Sequence, residues 1–140
     1  MNRLLLDTGP IVALLDKADP AHERVRDSLP RTPVTLVTTC AVMTESMFFL
    51  QELPQGPEQL AGFMGASCVE RVDIFAPAGL ETCSRLMRTY ADTPMDFADA
   101  TLVLAATMLN LPDILTLDER GFRTYRFGRK QAFRLFLQDA

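Results

Sequence analysis

Short runs that are mostly apolar or β-branched, set between longer stretches of helical periodicity, constrain this chain more than any other feature. "RLLL" (3–6), "VTLVT" (34–38) and "DILTL" (113–117) lack the in–out alternation of a half-exposed strand. A strand apolar on both sides is buried on both faces, the habit of parallel sheets covered by helices. Between these runs the spacing predicts helices: one opening at Pro10, a polar one over 19–29, then 39–53, 55–67, 79–92 and 93–110. "VERVDIFA" (69–76) predicts a further strand. "FRTYRF" and "AFRLFL" around "GRKQ" predict a terminal β-hairpin. Strands alternating with helices give an α/β class with a mainly parallel sheet. At 140 residues, 48% of them hydrophobic, the expectation is one domain over 1–140 with a full core.

Composition excludes several roles. No apolar run approaches the 18 residues of a membrane span, and the N-terminus turns acidic after three leucines instead of extending as a leader. A cytoplasmic protein is expected. Cys40, Cys68 and Cys83 are widely spaced and the single His22 has no metal-spaced partner, which argues against zinc and for buried free thiols. Net charge is −4, but its distribution is uneven. Residues 120–140 carry six basic side chains against Asp139 alone, on an otherwise acidic chain. Such a segment can grip phosphate, or can simply be a solvated edge.

Asp recurs where apolar elements end. Asp7 closes the run at 3–6, and Asp118 closes the run at 113–117. In parallel sheets ligands bind at the carboxyl ends of strands, so both belong to one edge. Glu45 interrupts the apolar face of the 39–53 helix, and Asp96 and Asp99 stand three residues apart on the 93–110 helix. Crowded carboxylates raise one another's pKa, and a divalent cation relieves the repulsion. Oxygen-only ligands suit Mg²⁺ or Mn²⁺. Each acid also has a structural reading. Asp7 and Asp118 can be turn or cap residues. Glu45 can face solvent on an amphipathic helix. Asp96 fits a capping box with Thr93 as N-cap and Pro94 at N1. Asp99, placed one turn inside that helix, lies past the reach of such a cap.

With these residues in order, the sequence resembles the PIN-domain ribonucleases, in particular VapC-like toxins of bacterial toxin–antitoxin pairs. "LLLDTGPIVALLD", "DPAHERV", "TTCAVMTESMFFL", "MDFADATLVLAA" and "ILTLDERGF" are similar to that family's successive motifs and cover nearly the whole chain. The resemblance implies a three-layer α/β/α sandwich and a Mg²⁺- or Mn²⁺-dependent ribonuclease, usually a homodimer, paired with an antitoxin. It implies catalytic and metal-binding roles for Asp7, Glu45, Asp99 and Asp118, with Asp96 at an additional acidic position. Glu45 would hold or activate the attacking water. Thr8 and Thr116 match hydroxyls that orient the site. Gly9-Pro10 depart from the commoner Asn-Val, which bears on the turn after Asp7. Arg120, Arg123 and Arg126 follow Asp118 and are candidates for RNA phosphate contacts, or form a basic edge that discourages aggregation.

Two other classes fit poorly. A haloacid-dehalogenase-type phosphatase needs a second Asp where Gly9 stands, and a receiver domain needs paired acids at the first strand and a Lys near the last. The alternative that survives is a catalytically silent PIN-like module binding RNA or protein. Leu50, Leu53, Leu60, Phe63 and Met64 are candidates for a dimer or antitoxin groove, or for core packing.

Overall fold

The computed structural model describes residues 3–74 and 77–137. Its frame is a five-stranded sheet built from β1 (Arg3–Leu6), β2 (Thr35–Thr39), β3 (Glu70–Val72), β4 (Asp113–Leu115) and, late in the chain, Arg134–Leu135. Taken across the sheet the order is β3, β2, β1, β4 and then that last strand, and every pairing is parallel. Leu4, Leu5 and Leu6 are wholly buried, as a strand covered on both faces requires. From β1 the chain builds outward through β2 and β3, then returns to the other side of β1 for β4. The order of strands therefore reverses between β1 and β4, where a crevice opens at their carboxyl ends.

The helices are α1 (Thr8–Leu15), α2 (His22–Ser28), α3 (Cys40–Leu50), α4 (Gly56–Ala66), α5 (Pro77–Thr89), α6 (Phe97–Leu109) and α7 (Glu119–Thr124). α1 packs with α2 and α3, and α5 packs with α6. Together with the sheet they make the α/β architecture expected. The Nδ1–H of His22 donates to Ala13 O at 2.6 Å, a structural tie between α1 and α2.

Four expectations change. α6 starts at Phe97, not at 93, because Asp96 is its N-cap; Asp96 and Asp99 form the capping box between themselves. The portion of that helix from Leu102 to Leu109 is apolar enough all round to be expected buried, yet Met108 is exposed. The segment expected as the first hairpin strand begins instead as α7, started by Asp118. A hairpin of two-residue strands, β5 (Arg126–Phe127) and β6 (Gln131–Ala132), follows. The end of "AFRLFL" then leaves that hairpin as β7 (Arg134–Leu135), beside β4 in the main sheet. Of the free cysteines only Cys83 is buried; Cys68 is exposed and Cys40 half-buried. Residues 75 and 76, the end of the strand expected over 69–76, lie outside the described residues.

Candidate active site

The crevice between β1 and β4 is an acidic cavity of about 550 Å³. Asp7, Glu45, Asp96, Asp99 and Asp118 all line it, with Thr8, Gly9 and Leu117. The five acids expected from the sequence thus share one cavity. Asp19 lines it too, a sixth carboxylate that sequence reasoning missed. Its signal was an Asp-Pro that reads as an ordinary helix start, and Asp19 does accept the Ala21 N–H at 2.8 Å.

Four of the five acids, Asp7, Asp96, Asp99 and Asp118, are placed by the start of a helix, and Glu45 lies midway along α3. Asp7 caps α1 through the Thr8 N–H at 2.8 Å, and its second oxygen accepts the Thr116 hydroxyl at 2.7 Å. The backbone N–H of Asp7 donates to Leu115 O, which ties the strand ends together. Thr116 in turn accepts the Asp118 N–H at 3.0 Å. Asp118 caps α7 through the Gly121 N–H at 3.0 Å. A side chain at position 121 would put its Cβ 2.3 Å from Asp118 Oδ2, so this Gly is what lets the carboxylate sit there. A Cβ at Gly9 would meet Leu117 Cδ1 at 3.0 Å. The departure at Gly9 thus makes room for Leu117, which lines the cavity opposite.

α3 and α6 carry the remaining three acids. The Val42 N–H donates to Thr39 Oγ1 at 3.3 Å, and Thr39 Oγ1 lies 2.7 Å from Thr101 Oγ1. The Thr101 hydroxyl proton goes to Ala98 O at 2.7 Å, so Thr39 is the donor of the pair. This buried chain clamps the start of α3 to the first turn of α6, and so sets Glu45 against Asp96 and Asp99. Asp96 Oδ1 accepts the Asp99 N–H at 2.8 Å, and Asp99 Oδ2 accepts the Asp96 N–H at 3.1 Å.

Burial and crowding oppose ionisation here. Burial pushes Asp7 up to about 6, against the pull of Thr116 and Thr8, and Glu45 and Asp96 raise it further. Asp99 is pushed up to about 8 by burial and by the charges of Asp7 and Asp96. Glu45 is raised by burial and by Asp96, partly offset by the nearby Thr8 hydroxyl. Tyr125, which donates its phenol to Pro94 O at 2.8 Å, is raised by burial first and then by Asp99, Asp118, Asp96 and Asp7. Its place beneath the carboxylates left no mark in the sequence.

The donor set is oxygen throughout. Asp96, Asp99 and Asp118 each commit one carboxylate oxygen to a cap and leave the other for a further partner. Thr8 Oγ1 is buried with no hydrogen-bond partner of good geometry. These features suit a hard divalent cation. Among the described residues, though, no three side chains are drawn together as a finished cation cage.

The basic candidates stand apart from this cavity. Arg126 turns its guanidinium onto the carbonyls of Arg123, Thr124 and Tyr125 at the end of α7, Arg123 pairs with Glu119, and Arg120 is exposed on α7. Of the interface candidates, Leu50 and Leu60 are core residues, and Leu53, Phe63 and Met64 pack half-buried against that core. Core packing therefore explains most of that group.

No protein-family model matches the chain. It is 28% identical over 136 residues to ribonuclease VapC26 of Mycobacterium tuberculosis, covering 88% of this chain and 92% of that one. Two solved structures share its fold. The crystal structure of Mycobacterium tuberculosis VapC20, a toxin that cleaves the sarcin–ricin loop, superposes with a TM-score of 0.71 at 15% identity, over 79% of this chain and 86% of that one. VapBC2 of Rickettsia felis, bound to a DNA fragment from its promoter, gives 0.64 at 14% identity, over 95% and 98%.

Proposed function

We propose that this chain, VapC-like in sequence and in fold, is a divalent-metal-dependent endoribonuclease and the toxin of a toxin–antitoxin pair. The observation that carries the reading is the gathering of all five expected carboxylates, from four separate elements, around one cavity at the strand-order reversal. Ribonuclease VapC26 supports the activity, and the VapBC2 complex supports an antitoxin partner.

Asp7, Asp99 and Asp118, with Asp96, would hold Mg²⁺ or Mn²⁺ directly or through water. The bound cation supplies a water of lowered pKa and charge stabilisation at the scissile phosphate. The chain's own residues do the rest. Glu45 takes the proton of the attacking water. Thr116 holds the Asp7 carboxylate in place, and its hydroxyl is held in turn by the Asp118 backbone. The Thr8 hydroxyl lies beside Glu45 and favours its charged form. Arg120, Arg123 and Arg126 lie outside the cavity and would meet phosphates beyond the cleaved one. Homodimer assembly is part of the proposal and is read directly from the mass in solution.

The capping work done by Asp7, Asp96, Asp99 and Asp118 is the observation that favours a silent binding module instead. Incubating a structured RNA pool with the protein decides between them, with Mn²⁺ or Mg²⁺, with EDTA, and with the Asp99→Asn variant in parallel. Cutting lost in both controls is expected. Metal binding without any cutting would favour the silent module, and cutting that survives Asp99→Asn would remove this cavity from the reaction.

A further inference from the structure

A second cavity, of about 620 Å³, adjoins the acidic one, and Glu45, Phe49 and Asp96 line both. Away from that shared edge it is apolar, with Phe48 and Phe97 in its wall. Phe48, Phe49 and Phe97 are 63%, 51% and 37% exposed, and no other phenylalanine among the described residues is exposed. A scattered surface ring needs no explanation, but three gathered on one cavity do. Phe48 and Phe49 meet edge to face with centroids 5.4 Å apart, which leaves them unstacked on each other.

The same two helices serve both cavities. On α3, Phe48 and Phe49 follow Glu45 by three and four residues, and so share its face. On α6, Phe97 follows the N-cap Asp96 directly. A polynucleotide with one phosphate over the carboxylates must lead its neighbouring nucleotide out along these rings. Charge selects which part of it enters. A phosphate, or an acidic peptide, is repelled by Glu45 and Asp96 at the edge. A neutral base is not repelled, and its N–H groups are donors those carboxylates accept.

We propose that this cavity receives an unpaired nucleobase of the substrate RNA, adjacent to the scissile phosphate, stacked on the phenylalanine rings. The proposal rests on the RNA-cleaving reading and deepens it: Phe48, Phe49 and Phe97 become specificity residues that favour loops and single strands over duplex. A paired, stacked base cannot enter such a site, and base–aromatic stacking is the usual means of holding a splayed one.

The chain contains no tryptophan, so Phe97→Trp installs a single fluorescent ring at the site. Its emission is titrated, with EDTA present to prevent cutting, against three probes: a single-stranded RNA octamer pool, duplex RNA, and an abasic ribose-phosphate octamer. Saturable quenching by the single strands, and little by the other two, is expected. Phe97→Leu and Phe49→Leu keep an apolar side chain at sites exposed enough for the fold to tolerate them. Each is expected to weaken single-strand binding roughly 5- to 100-fold, the range of one lost stacking contact. Equal quenching by the abasic octamer, or unchanged RNA binding in both leucine variants, overturns the proposal. So does a dimer that becomes a monomer in both variants while RNA binding is retained, since the rings would then be a surface between copies of the chain. Metal-dependent cleavage with no effect of the rings would leave the nuclease standing and remove only the base site. Base-dependent quenching in a protein that never cuts would do the reverse.

Discussion

Thr116 joins the two strand ends on which the site is built: its hydroxyl donates to Asp7 Oδ2 at 2.7 Å while its oxygen accepts the Asp118 N–H. The hydroxyl is fully buried, so both contacts are made away from competing water. Thr116→Val keeps the shape and removes both. It is expected to cost about 1–3 kcal/mol of stability, because a buried carboxylate and a backbone N–H both lose their partner. Thermal unfolding and RNA cleavage should fall together, and Thr116→Ser should restore most of each. Wild-type cleavage in a destabilised Thr116→Val would separate this contact from the chemistry.

The carboxylates give the metal-free protein a pH signature. Asp7 and Asp99 have folded pKa values raised above those of the unfolded chain, to about 6 and about 8. Groups shifted upward favour the fold while protonated, and that contribution is lost as pH rises through the folded values. Stability in EDTA is therefore expected to fall between about pH 4 and pH 8. Mn²⁺ added at pH 8 should recover it by mass action. Asp99→Asn keeps a capping oxygen and removes a charge. Allowing for solvent at this half-buried site, it should gain on the order of 1 kcal/mol at pH 8 in EDTA and lose part of the Mn²⁺ response. A melting temperature flat from pH 4 to 8 would contradict the crowding described here.

Gly121→Ala tests the position of Asp118 without touching an acid. The added Cβ would arrive 2.3 Å from Asp118 Oδ2, so the carboxylate must move. Cleavage is expected to drop at least roughly tenfold, as misplacement of a site group on the ångström scale does. The stability cost should stay near 1–2 kcal/mol, since the change acts on one cap. Unchanged cleavage would show that Asp118 has freedom to spare.

Thr39→Val breaks the hydroxyl chain from Val42 N–H to Ala98 O that clamps α3 to α6. The loss of a cap and a buried hydrogen bond is expected to cost about 1–3 kcal/mol. Because Glu45 and Asp99 ride on the two clamped helices, kcat should fall more than KM rises. A change in stability alone would make the clamp purely structural.

The amino-acid order by itself determined the elements of this protein and the identity of its acids. The largely apolar runs at 3–6 and 113–117 dictated strands buried on both faces, and the Asp that closes each run had to stand at the same sheet edge. The Thr39 cap of α3 was likewise visible locally. Local pattern misjudged the start of α6, because Thr93-Pro94 and Asp96 offer rival caps and only packing chooses between them. It missed α7, where "FRTYRF" has strand-like spacing but Asp118 and Gly121 begin a helix. Tertiary structure alone decided which groups meet. Thr116 and Asp7 are 109 residues apart and touch because β4 lies beside β1. Asp19 and Phe49 reach the same cavity, and Tyr125 comes near its carboxylates, only through the packing of the elements that carry them. Sheet order and desolvation are properties of the assembled chain, and they gather five scattered carboxylates around one cavity where burial and crowding oppose ionisation.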